Sequence, residues 1–276
     1  MLIKLAIGDA YGAAFEYTNP RLVESWNDLS CYRKHPRHDI GAGCYTDDTQ
    51  MSLAIAELML SGEDWTPRNL ATRFVECFKR DPREGYAGRF YDFLIEVAAG
   101  EDFLARIQPH SDKSGAAIRA VPAGLFGSIE EVRRKAEIQA RVTHDTPDGV
   151  NAAVAAALMA HYFHNELGPR EEVGDFLVQH VDGQWNCPWS GKVGAKGWMS
   201  VRAAITAVQE GSSLSDILKR SIAFTGDVDT VATIALGAAS LSDEIEKDLP
   251  AALFNGLEDG GFGRTYLLEL DRKLLS

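Results

Sequence analysis

Residues 146–165 read Thr-Pro-Asp-Gly-Val-Asn-Ala-Ala-Val-Ala-Ala-Ala-Leu-Met-Ala-His-Tyr-Phe-His-Asn. Thr146 followed by Pro147 opens a helix: the hydroxyl accepts a free amide of the first turn, and proline has no amide to waste there. From Gly149 to Asn165 no side chain is charged, a run of 17 residues that contains His161 and His164. A bilayer span needs about 20 apolar residues, so this stretch is expected as a buried core helix. Its alanines, Ala152 to Ala157, let neighbouring helix backbones come close. Val231, Ile234, Ala235, Ala238 and Leu241 repeat the pattern with helical period, and Ala232 to Ala239 is again rich in small residues.

Other helical signals surround these two. Asp47 and Asp48 precede Leu53, Ile55, Ala56, Leu58, Met59 and Leu60. Thr66-Pro67 leads into Leu70, Phe74, Val75 and Phe78. Ser128 with Glu131, and Ser213 with Asp216, read as capping boxes. Alternation of the β type is scarce, and there is no linker, internal repeat or low-complexity block. Residues 1–276 are therefore expected to form one compact all-α domain, a bundle of ten or more helices. Ser30 to Gly43 and Asp182 to Gly197 are expected as its two long loops.

Forty acidic residues against 28 basic give a net charge of −12, which argues against nonspecific binding to nucleic acid or an anionic membrane. Cys31, Cys44, Cys77 and Cys187 show no CxxC spacing and read as free thiols of a reducing compartment. Asp9 interrupts the N-terminus before an apolar signal segment develops. These features predict a soluble, cytoplasmic protein. An acidic chain that handles an anionic ligand needs arginines or bound cations to compensate.

Two short segments concentrate hard oxygen groups at helix starts: Tyr45-Thr46-Asp47-Asp48-Thr49-Gln50 and Thr225-Gly226-Asp227-Val228-Asp229-Thr230. One Asp per helix start is accounted for by capping and the helix dipole. Two Asp and a Thr at both starts exceed that need, and the surplus carboxylates repel one another unless a cation lies between them. Residues two apart on a helix diverge by about 200°, so Asp227 and Asp229 converge only if Asp227 lies before the helix, in the turn Gly226 permits. An all-oxygen set suits Mg²⁺, Mn²⁺ or Ca²⁺, and four carboxylates match two ions. In Ile7 to Glu16, Gly8 and Gly12 leave a bare strip for another backbone or a ligand, and Asp9 and Glu16 share a face if the stretch is helical.

These segments resemble the ADP-ribosylglycohydrolases. Gly8-Asp9-Ala10-Tyr11-Gly12 with Glu16 is similar to the family's opening GDA-x-G…E, and Thr46-Asp47-Asp48-Thr49 is identical to its TDDT. Ser114 to Pro122 is similar to its NGAxMRxxP, Thr143-His144 to its TH, and Gly226 to Thr230 to its GDTDT. The resemblance implies an all-α fold with two Mg²⁺ (or Mn²⁺) ions at the base of a cleft, held by Thr46, Asp47, Asp48, Asp227, Asp229 and Thr230. Glu16 would lie beside them as a mobile acidic residue, with catalysis falling to Glu16, Asp47, Asp48 and Asp229. The implied reaction removes an α-linked ADP-ribosyl group from arginine, or serine, of a modified protein or small molecule. Val228 departs from the usual Thr, Thr225 from a glycine and Ile118 from a Met, and Asp81 to Gly88 does not follow the pattern, leaving Glu84 and Tyr86 as candidates there.

Substrate contacts are expected at Ser114, Gly115 and Ala116, whose amides would face the pyrophosphate, at Arg119 toward a phosphate, at His144, at Tyr86, and at Trp198 against adenine. Each has a plainer role available: a cap, an internal ion pair, a core histidine or a loop anchor. Lys34, His35, Arg37 and His38 read as a solvated basic loop that faces the modified target at most. Two other functions fit the same residues, a non-catalytic ADP-ribose-binding relative and a phosphohydrolase that cuts the pyrophosphate. The products separate them: ADP-ribose from a glycohydrolase, AMP from a phosphohydrolase, neither from a binding protein.

Overall fold

A computed structural model describes residues 1–276, and its regular structure is helical, with no β-strand beyond isolated bridges. The first 106 residues carry α1 (Leu2–Gly12), α2 (Pro20–Trp26), α3 (Asp47–Ser61), α4 (Pro67–Arg80), α5 (Gly88–Glu96) and α6 (Gly100–Arg106). The middle carries α7 (Gly115–Ile118), α8 (Ile129–Arg141), α9 (Pro147–His164) and α10 (Val173–His180). The chain continues through α11 (Gly197–Glu210), α12 (Leu214–Ala223), α13 (Val228–Ala239), α14 (Ala251–Gly256) and α15 (Arg264–Leu274). The fold is all-α.

Helix starts follow side-chain chemistry. Thr46, Thr66, Ser128, Thr146 and Ser213 each accept a hydrogen bond from an amide two or three residues ahead. Ser128 and Ser213 are simple caps, not the reciprocal boxes their spacing predicts. Glu131 turns toward Arg134, and Asp216 accepts from the Ser212 amide instead.

Helix α9 runs through the centre, and from Gly149 to Phe163 only Asn151 escapes full burial. It packs against α7, α8, α11 and α13, which explains a sequence apolar on every side. A smaller apolar cluster, including Met51, Ile55, Phe74, Phe78 and Phe103, joins α3, α4 and α6.

The pairing that sets the rest is α1 across α13. A β-carbon on Gly8 would lie 2.5 Å from the Ala232 carbonyl oxygen, and one on Gly12 would overlap the Asp229 Cα. Gly12 has ordinary helical angles (φ −64°, ψ −35°), so it is required for space and not for conformation. Asp271 of α15 closes the start of α1, its carboxylate accepting from the Leu2 amide at 2.7 Å and the Ile3 amide at 3.0 Å.

In a helix with room, Gly→Ala gains about 1 kcal/mol; here Gly12→Ala is expected to cost about 1–3 kcal/mol by overpacking. Urea unfolding with an unchanged slope measures it, and a gain in stability would show that α1 and α13 are free to separate.

Candidate functional site

Asp9 is fully buried, and its carboxylate accepts four hydrogen bonds from the start of α3. They come from the Thr46 amide (2.9 Å), Thr46 Oγ1 (2.8 Å), the Thr49 amide (3.0 Å) and Thr49 Oγ1 (2.6 Å). Asp9 is thus saturated as an acceptor and acts as a clamp; it does not line the site with Glu16, because the chain leaves the α-helix at Gly12 for a 3-10 turn, Ala13–Phe15. Sequence reasoning missed this clamp, though the residue lay in plain view between the two glycines.

The clamp presents Asp47 and Asp48 at the first turn of α3. Opposite them, Gly226 (φ +94°) turns the chain so that Asp227 stands before α13 as its N-cap, with Asp229 in the first turn. This is the placement that convergence of the two aspartates requires. Carboxylate oxygens of Glu16, Asp227 and Asp229 lie within 4.8 Å of one another. Thr230 Oγ1 donates to Asp48 Oδ2 at 3.2 Å, joining the two helix starts. Thr225, where the resemblance has glycine, adopts φ +62°, a conformation a β-branched residue adopts only under strain. Val193 holds the turn by pairing: its amide donates to the Thr225 carbonyl (2.9 Å), and its carbonyl accepts from the Asp227 amide (3.2 Å).

No lysine or arginine forms an ion pair with Asp9, Glu16, Asp47, Asp48, Asp227 or Asp229. Burial, then mutual repulsion, drives Asp47, Asp48 and Asp229 well above the carboxylate range. Burial likewise raises Asp227 to about 6, against the pull of nearby hydroxyls including those of Thr230 and Ser114. Glu16 is pushed up to about 7 by burial and by the Asp227 and Asp9 carboxylates. An all-oxygen cluster lacking its own counter-charge fits divalent cations, which would return these groups to the ionised form.

The backbone around Glu16 is tightly held. His35 is buried; its Nδ1 accepts the Arg37 and His38 amides, so Nε2–H donates to the Glu16 carbonyl at 3.1 Å. Arg37 donates to the Tyr17 carbonyl (2.8 Å), and the Tyr17 amide to the Gly226 carbonyl (2.8 Å), with Tyr17 at φ +46°. The basic loop is therefore not simply solvated: two of its residues fix the segment carrying Glu16. Nothing in the local sequence signals this, since the partners are backbone groups.

Several expected substrate contacts take other positions. Arg119 is 2% exposed, bonded to Gln139 and Thr143 with its guanidinium over the Phe74 ring. A group so enclosed does not reach a phosphate, which corrects that expectation. The buried Tyr86 hydroxyl donates to Gln50 Oε1 at 2.8 Å, so it too faces the core; its loop contributes through the Glu84 carbonyl, which accepts the Asp47 amide (3.2 Å). Ser114 stands before α7, a single turn that Gly115 and Ala116 begin, but its hydroxyl makes no capping bond to that turn. His144 is buried behind that turn, held neutral chiefly by burial, its pKa lowered to about 3. Trp198 meets Trp189 edge-on at 5.8 Å and lines a cleft with Asp148, Asn151, Trp185 and Arg202.

Raised carboxylate pKa values mean that the folded state binds protons more tightly than the unfolded chain, so this cluster's penalty is absent below about pH 4 and grows as pH rises through about 6 for Asp227 and about 7 for Glu16. Chelator-treated protein is expected to lose stability as pH rises through 5 to 7, with a shallower loss in Asp227→Asn. Thermal unfolding across that range tests it; a stability that rises with pH equally in both proteins would contradict the geometry.

A family model described as ADP-ribosylglycohydrolase matches residues 1–276. An uncharacterized protein of Archaeoglobus fulgidus is 31% identical over 160 residues, 57% of this chain and 52% of that one. ADP-ribosylhydrolase ARH3 of Xenopus tropicalis is 29% identical over 191 residues, 65% of this chain and 54% of that one. The chain spans about half the length of these two curated relatives. ADP-ribosylarginine hydrolase Tri1 of Pseudomonas putida is 24% identical over 256 residues, 85% of this chain and 67% of that one. A solved structure described as an ADP-ribosylglycohydrolase-related protein complex superposes with a TM-score of 0.70 at 20% identity, over 99% of this chain and 95% of that one, and so shares the fold. With a matching family model over its whole length, the motifs in order and the all-α fold to carry them, this chain belongs to the ADP-ribosylglycohydrolase family.

Proposed function

We propose that the chain is a divalent-metal-dependent hydrolase that cleaves the α-glycosidic bond between ADP-ribose and a modified side chain, releasing ADP-ribose. The observation that carries this is the convergence of the α3 and α13 starts into one cluster of oxygen groups without a protein counter-charge. Thr46, Asp47, Asp48, Asp227, Asp229 and Thr230 would hold two Mg²⁺ or Mn²⁺ ions. Divalent ions there supply Lewis-acid polarisation of oxygen atoms and lower the pKa of water.

The chain's own residues do the remainder. Asp47, Asp48 and Asp229 orient the attacking water and the sugar. Glu16, beside Asp227 and Asp229, takes up or releases a proton at its carboxyl oxygen as the glycosidic bond breaks, the acid–base role open to a carboxyl group set next to the reacting centre. Ser114, Gly115, Ala116 and His144 would meet the ADP-ribose, and Trp198 the adenine. The name of the Pseudomonas relative supports arginine as the acceptor, with serine the second choice. The substrate would be an ADP-ribosylated protein or small molecule. No helix is long and apolar enough to cross a membrane, the four cysteines are unpaired, and we place the chain in the cytoplasm.

A non-catalytic relative would be expected to have lost metal ligands, and all six are present in this chain. Incubation with ADP-ribosylated arginine and serine peptides tests the proposal. ADP-ribose should appear, EDTA should stop its release, and Asp229→Ala should lower the rate by more than the 10–100-fold typical of losing an outer supporting group. Full activity in Asp229→Ala, or AMP as the product, would overturn it.

A further inference from the structure

Arg119 is a buried cation with no carboxylate beside it, and the reaction outlined above gives it no task. Its Nε donates to Gln139 Oε1 (2.7 Å), and its Nη2 to the Gln139 carbonyl (3.0 Å) and to Thr143 Oγ1 (2.7 Å). Gln139 Nε2 donates onward to the Ala116 carbonyl at 2.9 Å, tying the group to α7. Thr143 Oγ1 lies 2.6 Å from His144 Nδ1.

The proton positions follow from donor and acceptor inventories. A guanidinium only donates and stays charged, so Arg119 occupies one lone pair of Thr143. The Thr143 hydroxyl has one proton of its own, and its only acceptor within reach is His144 Nδ1. Were Nδ1 protonated, the Thr143 proton would be left without a partner in a residue 4% exposed, which burial disfavours. Nδ1 therefore accepts, and the neutral ring carries its proton on Nε2. Burial and the nearby Arg119 charge both keep the ring neutral. Nε2 has no partner within the protein and faces Gly115, where a β-carbon would come within 3.6 Å of it.

We propose that Arg119 is a positioning residue which, through Thr143, locks His144 in its Nε2–H form as a fixed donor to an oxygen of the ligand at the start of α7. The ligand side of this inference rests on the proposed function; the tautomer does not. A side chain without lone pairs sets the direction of the chain of bonds, so the imidazole cannot turn into an acceptor when substrate arrives.

Protein labelled with ¹⁵N-histidine, observed by long-range ¹H–¹⁵N correlation, tests the tautomer directly, with the His144 signals assigned by their loss in His144→Gln. The native chain should show a protonated Nε2 and an unprotonated Nδ1 from pH 5 to 8. Thr143→Val, which keeps the shape and removes the hydroxyl, should give a mixture of tautomers and weaken binding of ADP-ribose by about 10-fold, the scale of one hydrogen bond. Thr143→Ser should restore both. Arg119→Met should match Thr143→Val in its tautomer signals; if it fails to fold, Thr143→Val and Thr143→Ser still decide. An Nδ1–H signal in the native chain, or an unchanged Nε2–H signal in Thr143→Val, would overturn the proposal. A native chain that binds no ADP-ribose would defeat the proposed function while the tautomer result stays readable.

Discussion

The contact of α1 with two other helices is the constraint from which the site follows. None of the proposed metal ligands lies on α1, yet it locates both helix starts that carry them. On one side its glycines let the α13 backbone approach until Gly12 meets Asp229. On the other, Asp9 takes four hydrogen bonds from Thr46 and Thr49 and so fixes the mouth of α3. Moving α1 by one ångström would misplace four carboxylates together. Geometry of this kind is more exact than a loop could deliver, because each end rests on packed backbone.

What α1 brings together, electrostatics would drive apart. Six carboxyl groups gather at and beneath the site with no ion pair among them, and burial raises every one of their pKa values. A protein selected for stability alone would replace some of these groups by amides. The strained Thr225 and Tyr17 add to the same account, held in place by the Val193 pairing and by Arg37 and the Gly226 carbonyl. Stability is given up locally, and the large alanine-rich core around α9 and α13 offsets it.

Much of this was legible in the residues. The all-α class came from the charge-free run at 149–165 and the helical spacing of 231–241. The requirement that Asp227 precede its helix came from simple angular geometry, and Gly226 marked the turn. The bare strip of Gly8 and Gly12 announced a close backbone approach. What stayed hidden depends on partners far apart in sequence. Arg119 resembles a phosphate ligand until Gln139 and Thr143 are seen to enclose it. Tyr86 looks free until Gln50 takes its hydroxyl. His35 and Arg37 look like surface charge because the groups they hold, the carbonyls of Glu16 and Tyr17, are carried by any residue. Backbone acceptors leave no trace in composition.

The pairing of Gly12 with Asp229 closes a loop of more than two hundred residues. The entropic cost of closure grows only slowly with loop length, but pairings this distant in sequence slow folding. During synthesis the first aspartates emerge long before their counterparts on α13 exist. The acidic groups of α3 and α13 are thus apart and hydrated in the unfolded chain, and their repulsion is met in the same docking of α13 on α1 that buries the apolar contacts opposing it.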